Sequence, residues 1–166
     1  MNTAKLSLVL ATSLALAACA SKAPKQLPPQ PGETAAPAET SRGPVPGSQA
    51  DFVAQMMGKD TIYFDTDLYN IDGEDAASLQ AQAQWLQKYP TKRATIEGHC
   101  DERGTRDYNL ALGERRANAA KDYLVSLGID AARIATVSYG KERPIALGSD
   151  EASWAKNRRA VTVTID

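Results

Sequence analysis

The stretch RATIEGHCDERGTRDYNLALGERRANAAKDYLVSLG, residues 93–128, decides the fold. Arg93 to His99 reads as a strand. Arg106 to Leu127 reads as a long helix, and Gly128 sits in the capping position that stops it. A wheel at about 100° per residue gathers Leu112, Ala117, Ala119, Ala120, Tyr123, Leu124 and Leu127 on one half. Glu114, Arg115, Asn118, Lys121, Asp122 and Ser126 occupy the other half. Two polar residues, Asn109 and Arg116, fall inside the apolar half, two turns apart on a shared face.

Working outward, the same periodicities continue on both sides. Gln49 to Met57 reads as a short helix and Asp60 to Asp65 as a strand with Ile62 and Phe64 on one face. Glu74 to Tyr89 reads as a helix with Leu79, Ala83 and Leu86 along one side, and Pro90 lies just past its end. Arg133 to Ser138 is a further strand. So is Ala160 to Ile165, where Val161, Val163 and Ile165 alternate with Thr162 and Thr164. Strands interleaved with helices predict an α+β sandwich: a small mixed four-stranded sheet with helices packed on one face.

Upstream of residue 49 the composition differs. Lys5 precedes an apolar run, Leu6 to Ala15, broken by Ser7, Thr12 and Ser13. A permanent membrane helix needs about 20 apolar residues, so this run reads as a secretory signal peptide. Leu16-Ala17-Ala18-Cys19 follows and resembles the lipobox of bacterial lipoproteins. That resemblance implies cleavage after residue 18 and lipid on Cys19, a thiolate being the nucleophile that accepts it. Several acyl chains, at about 0.8 kcal/mol per buried methylene, make a firm anchor. Ala20 rather than Asp follows Cys19; in the Gram-negative pattern this points to the outer membrane, with the chain facing the periplasm. Residues 19–48 then form a lipidated linker that holds Pro24, Pro28, Pro29, Pro31, Pro37, Pro44 and Pro46 and few apolar side chains. It is expected to be disordered and extended, reaching at most about 90 Å at polyproline spacing. Residues 49–166 are the folded domain.

A formal net charge of −1 lacks the basic excess of a nucleic-acid binder. With Cys19 taken by lipid, Cys100 has no partner in the chain for a disulfide.

The candidate chemistry centres on the polar pair in the long helix. An arginine on the packed side of a helix needs compensation, because an unpaired buried charge is costly. An internal salt bridge or snorkelling to the surface would provide it; so would a bound anion. Asp101, in the loop between strand and helix, is the nearest candidate partner. Together the two side chains suit a zwitterion, with Asp101 for an ammonium and Arg116 for a carboxylate.

The segment Glu97 to Thr105, followed by Tyr108-Asn109 and Leu112 to Ala117, resembles the signature of the OmpA-like peptidoglycan-binding domain family. Val137 to Pro144 and Asn157 to Ala160 extend the likeness, which covers about Thr61 to Ile165. The lipobox and linker match its lipid-anchored members rather than those with a transmembrane helix or barrel. The resemblance implies non-covalent binding of the diaminopimelate-containing stem peptide of peptidoglycan, with no turnover. In that reading Asp101 and Arg116 hold the ammonium and carboxylate. Phe64 and Asp65 match further binding positions, and Leu112 lines the same groove. Asn109 joins the site or bonds nearby backbone, and Arg158 supplies electrostatic support. Asp67 is read as turn chemistry. The resemblance also implies a periplasmic β-propeller partner, TolB, and a role in holding the outer membrane to the wall during constriction. Cys100 stands where the family has a small or hydroxyl residue; burial would leave it inert.

Two enzymatic readings compete. His99, Cys100, Asp101 and Glu102 are metal-ligand types, but four consecutive residues do not converge on one ion. Asp65 and Asp101 are a conceivable acid–base pair for a wall hydrolase, but no activated nucleophile accompanies them.

Overall fold

The computed structural model describes residues 43–165. The expected signal peptide, Cys19 with its expected lipid and most of the expected linker lie outside the described residues. The elements are α1 (Gln49–Met56), β1 (Thr61–Tyr63), α2 (Gly73–Lys88), β2 (Arg93–His99), α3 (Arg106–Ser126), a 3-10 turn (Ala131–Arg133), β3 (Ile134–Gly140), α4 (Glu151–Asn157) and β4 (Arg159–Ile165).

The strands form one mixed sheet in the order β1-β4-β2-β3. β2 and β3 run parallel, with α3 as their crossover, and β4 inserts antiparallel to both β1 and β2. The expected α+β architecture is therefore present. The core gathers Phe52, Ile62, Leu79, Leu86, Ile96, Leu124 and Ile134 between the helices and one face of the sheet.

In β4 the alternation falls opposite to the hydrophobicity of its residues. Thr162 and Thr164 are buried, while Val161 and Val163 are half-buried and Ile165 is exposed. Two glutamines explain the inversion. Thr162 donates to Oε1 of the buried Gln82 on α2, and the backbone N–H and hydroxyl of Thr164 both donate to Oε1 of Gln49 on α1, each hydroxyl bond at 2.7 Å. Polar groups paired in this way can be buried.

Several boundaries differ from the sequence reading. β1 is shorter than Asp60–Asp65, because Phe64 leaves the ladder after one last bond, from its N–H to the Arg158 carbonyl at 2.9 Å. The chain then turns through Asp67 at a φ of 57°. The seven-residue α4, absent from the sequence reading, starts where Asp150 caps the N–H of Ser153. The linker does not stay free up to residue 48: the buried Gly47 donates its N–H to Asp51, and Ser48 caps α1. Asp51 also accepts from the indole of Trp85, which pins α1 to α2. The Gly47 N–H is the main cause holding the Asp51 carboxyl below its usual pKa.

One contact sets the position of α3. A Cβ on Gly98 of β2 would fall on the carbonyl of Gly113, and one on Gly113 would meet the Ser138 hydroxyl. Two glycines thus let the helix lie directly on the strand pair. This close crossing carries Arg116 beneath the C-terminal end of β2.

Candidate functional site

At that end of β2 the chain passes through Cys100 to Thr105 and enters α3. Thr105 is the N-cap, accepting from the N–H of Tyr108. Gly104 adopts a φ of 82°, where a side chain would be strained. Asn109 closes the loop by donating to the carbonyls of Arg103 at 2.7 Å and Thr105 at 3.0 Å. A cleft of about 270 Å³ results, walled by this loop, by the Thr66–Asp67 turn and by Leu112 and Arg116 of α3.

Arg116 is fully buried. Its Nε donates to the Leu68 carbonyl at 2.9 Å, Nη1 to that of His99 at 2.9 Å, and Nη2 to that of Asp65 at 3.0 Å. The guanidinium lies 5.2 Å from the ring centroid of Phe64. Burial lowers its pKa, although a guanidinium remains charged at any physiological pH. The three carbonyls use three of its five N–H donors, and the group still lines the cleft. Its compensation is thus neither a carboxylate salt bridge nor escape to solvent but a cage of backbone dipoles.

Asp101 is buried in the same cleft and has other partners. Its Oδ1 accepts from the N–H and Nε of Arg103, both at 3.1 Å, and its Oδ2 from Nη2 of Arg103 at 2.7 Å. Nη1 of the buried Arg158 stands 3.5 Å from Oδ2. Burial acts to raise the Asp101 pKa. The Arg103 bonds and the neighbouring Arg158 outweigh it and hold the carboxyl below its ordinary value. An ionised carboxylate and a caged guanidinium therefore face one small hollow without being each other's ion-pair partner.

Phe64 and Asp65 lie behind the cleft rather than in it. Phe64 is buried under Arg116, and the exposed Asp65 contributes its carbonyl to the cage. Both line an adjoining hollow of about 230 Å³ that also includes Asn70, Asp72, Asp75 and Arg158. Arg158 joins the two hollows: Nε donates to the Phe64 carbonyl at 2.9 Å and Nη2 to Glu151 at 2.7 Å, while Nη1 faces Asp101. Leu112 and Asn109 line the cleft itself.

Sequence reasoning missed Arg103, Thr66 and Tyr108 in the cleft wall, and Trp154, whose ring centroid lies 4.2 Å from the Arg103 guanidinium. Asp67, read as turn chemistry, does occupy the turn. Its carboxylate also accepts from the Tyr108 hydroxyl at 3.1 Å across the cleft rim. Arg103 carries a signal, a cation two residues beyond Asp101 in the same loop. Trp154 carries none, because α4 was not anticipated.

The four consecutive residues of the metal reading diverge. His99 packs against Tyr139 on the outer face of the sheet, where burial, with Arg159 and Arg143 nearby, lowers its pKa to about 4. Cys100 donates to the Asn109 carbonyl at 3.3 Å, and burial raises its thiol pKa to about 11. Asp101 turns to Arg103, and Glu102 accepts from the Trp154 indole at 3.1 Å. Among the described residues no group of His, Cys, Asp or Glu is arranged to hold a metal ion.

The OmpA family model matches residues 63–158, which span both hollows. The peptidoglycan-associated lipoprotein of Rhizobium meliloti is 52% identical over 94% of this chain and 85% of its own length. That of Agrobacterium fabrum is 50% identical over 98% of this chain and 87% of its own. The crystal structure of the peptidoglycan-associated lipoprotein from Burkholderia pseudomallei superposes with a TM-score of 0.62 at 50% identity, covering 63% of this chain and 89% of that one. The C-terminal domain of Helicobacter pylori MotB, 20% identical with a TM-score of 0.60, shares the fold. With more than half of its residues matched by the family model and half of its sequence shared with these relatives along nearly their whole length, the chain belongs to the OmpA family, in its group of peptidoglycan-associated lipoproteins.

Proposed function

We propose that this chain is an outer-membrane lipoprotein that ties the membrane to the cell wall by gripping peptidoglycan non-covalently and without turnover. The observation that carries the reading is the cleft at the end of β2, where an ionised Asp101 and a caged Arg116 line the same 270 Å³ hollow. A side chain ending in both an ammonium and a carboxylate meets both charges there. Diaminopimelate in the stem peptide has that end. Asp101 takes its ammonium, Arg116 turns its remaining N–H donors to its carboxylate, and Leu112 packs on the methylenes. Asn109 holds the loop. Phe64 and Asp65 support Arg116 from behind. Lipid on Cys19 fixes the other end of the chain in the outer membrane, on its periplasmic side.

In this reading the chain acts within the Tol-Pal system during cell division, and TolB is its protein partner. The relatives' shared group and the lipobox support that context. Co-sedimentation of residues 43–166 with purified peptidoglycan, beside Asp101→Asn, tests the grip. Wild type is expected in the pellet and the folded variant in the supernatant. Equal pelleting of both removes Asp101 from the site, and clearing of the wall suspension replaces binding with hydrolysis.

A further inference from the structure

The carboxylate at the centre of the cleft is held by two guanidiniums of different character. Arg158 is fixed: its side chain is 5% exposed and its other nitrogens are spent on Phe64 and Glu151. Arg103 is 39% exposed and sits on a loop. It grips Asp101 through both Nε and Nη2 and touches the Thr66 hydroxyl at 3.2 Å. Its guanidinium lies 4.2 Å from the ring centroid of Trp154, which Glu102 orients through the indole N–H. Arg103 therefore occupies the Asp101 oxygens to which an incoming ammonium must bind.

We propose that Arg103 is a displaceable counter-cation of Asp101 that makes the cleft selective for a zwitterionic end over a simple ammonium; this rests on the reading of the cleft as the diaminopimelate site. A ligand with an ammonium alone strands Arg103: it takes the carboxylate and gives the guanidinium nothing in return. A ligand with a carboxylate beside the ammonium lets the partners exchange. The ammonium moves onto Asp101, and Arg103 swings on its Trp154 platform to share the ligand's carboxylate with Arg116, so every charge stays paired. Loss of a charge partner is what makes the first case unfavourable.

Two stem tripeptides that differ only in carrying diaminopimelate or lysine at the third position provide the test, by calorimetric titration into residues 43–166. Wild type is expected to bind the diaminopimelate tripeptide at least about tenfold more tightly than the lysine one. In Arg103→Gln that ratio narrows, because the lysine tripeptide binds more tightly than it does to wild type, while the part that Arg116 supplies through the ligand's carboxylate remains. Arg103→Lys, which keeps the charge without the fork, restores part of the gap. Circular dichroism confirms that both variants fold. An unchanged ratio in Arg103→Gln, or equal weakening of both ligands, overturns the proposal and leaves the site reading intact. Failure of wild type to bind either tripeptide overturns the site reading, and the exchange with it.

Discussion

Replacing Arg116 by Met tests whether the caged guanidinium holds the fold as well as the ligand. The substitution keeps the unbranched stem and removes three hydrogen bonds to the carbonyls of Leu68, His99 and Asp65. Those carbonyls differ in what they regain. Leu68 and Asp65 are exposed residues, so water replaces the lost donor. His99 is 2% exposed, and its carbonyl is stranded. A stranded buried acceptor costs about 1–3 kcal/mol, and a bond to a charged donor is worth about 1.5–3 kcal/mol before rehydration. Relief of the guanidinium's own burial offsets part of the loss. The net expectation is about 3–5 kcal/mol, a large share of the about 5–15 kcal/mol that holds a typical domain together. Urea unfolding of residues 43–166, followed by far-ultraviolet circular dichroism, measures it. A loss below about 1 kcal/mol at unchanged m-value would refute the cage as a structural strut. A large loss means that missing binding in an Arg116 variant cannot be credited to a ligand contact alone, which makes Asp101 the cleaner probe.

Three other outcomes follow from the geometry. His99 is buried with a pKa of about 4 against an ordinary 6.5, so between those values the unfolded chain binds more protons and stability falls as pH drops through that window; His99→Phe should flatten this slope in urea titrations at pH 7 and pH 4.5. Gly98→Ala drives a methyl into the Gly113 backbone carbonyl, which neither element can yield without moving α3, so a loss of about 3 kcal/mol or more is expected by thermal unfolding. The Cys100 thiol, buried with a pKa of about 11, should react with iodoacetamide at pH 8 at least about 100-fold more slowly than in the urea-unfolded chain; comparable rates would place it at the surface.

Where one sequence period dominates, the fold is legible. β2 spans the residues expected of it, and α3 ends one residue before the expected position, because strand and helix meet at a capped loop and Gly128 stops the helix. Arg116 stands out on a helical wheel for the physical reason that it is buried: a polar side chain in an apolar face has to be compensated. What compensates it is not legible. The three carbonyls come from a turn and a strand end at sequence separations of 17, 48 and 51 residues, and no periodicity reports such partners. β4 shows the opposite failure. Its valines mark an apolar face, yet its threonines are inside, because Gln82 and Gln49 reach across from two helices. Asp101 was readable as an anion near the cleft. Its real partners were not, since Arg103 hides in a loop of mixed charge and Arg158 follows a short helix whose only local signal is the capping Asp150.

The central claim is that the cleft between the Asp101 loop and α3 is where the stem peptide binds. Amide chemical-shift mapping of residues 43–166 with the diaminopimelate tripeptide tests it directly, with Asp101→Asn as the control. Saturable shifts are expected at Asp101, Arg103, Tyr108, Asn109 and Leu112, with affinity about 30-fold lower or worse in the variant, the scale expected when one member of a buried charge pair is lost. Saturable binding with shifts confined to the outer face of the sheet or to the α1–β1 turn, and equal affinity in Asp101→Asn, would contradict it.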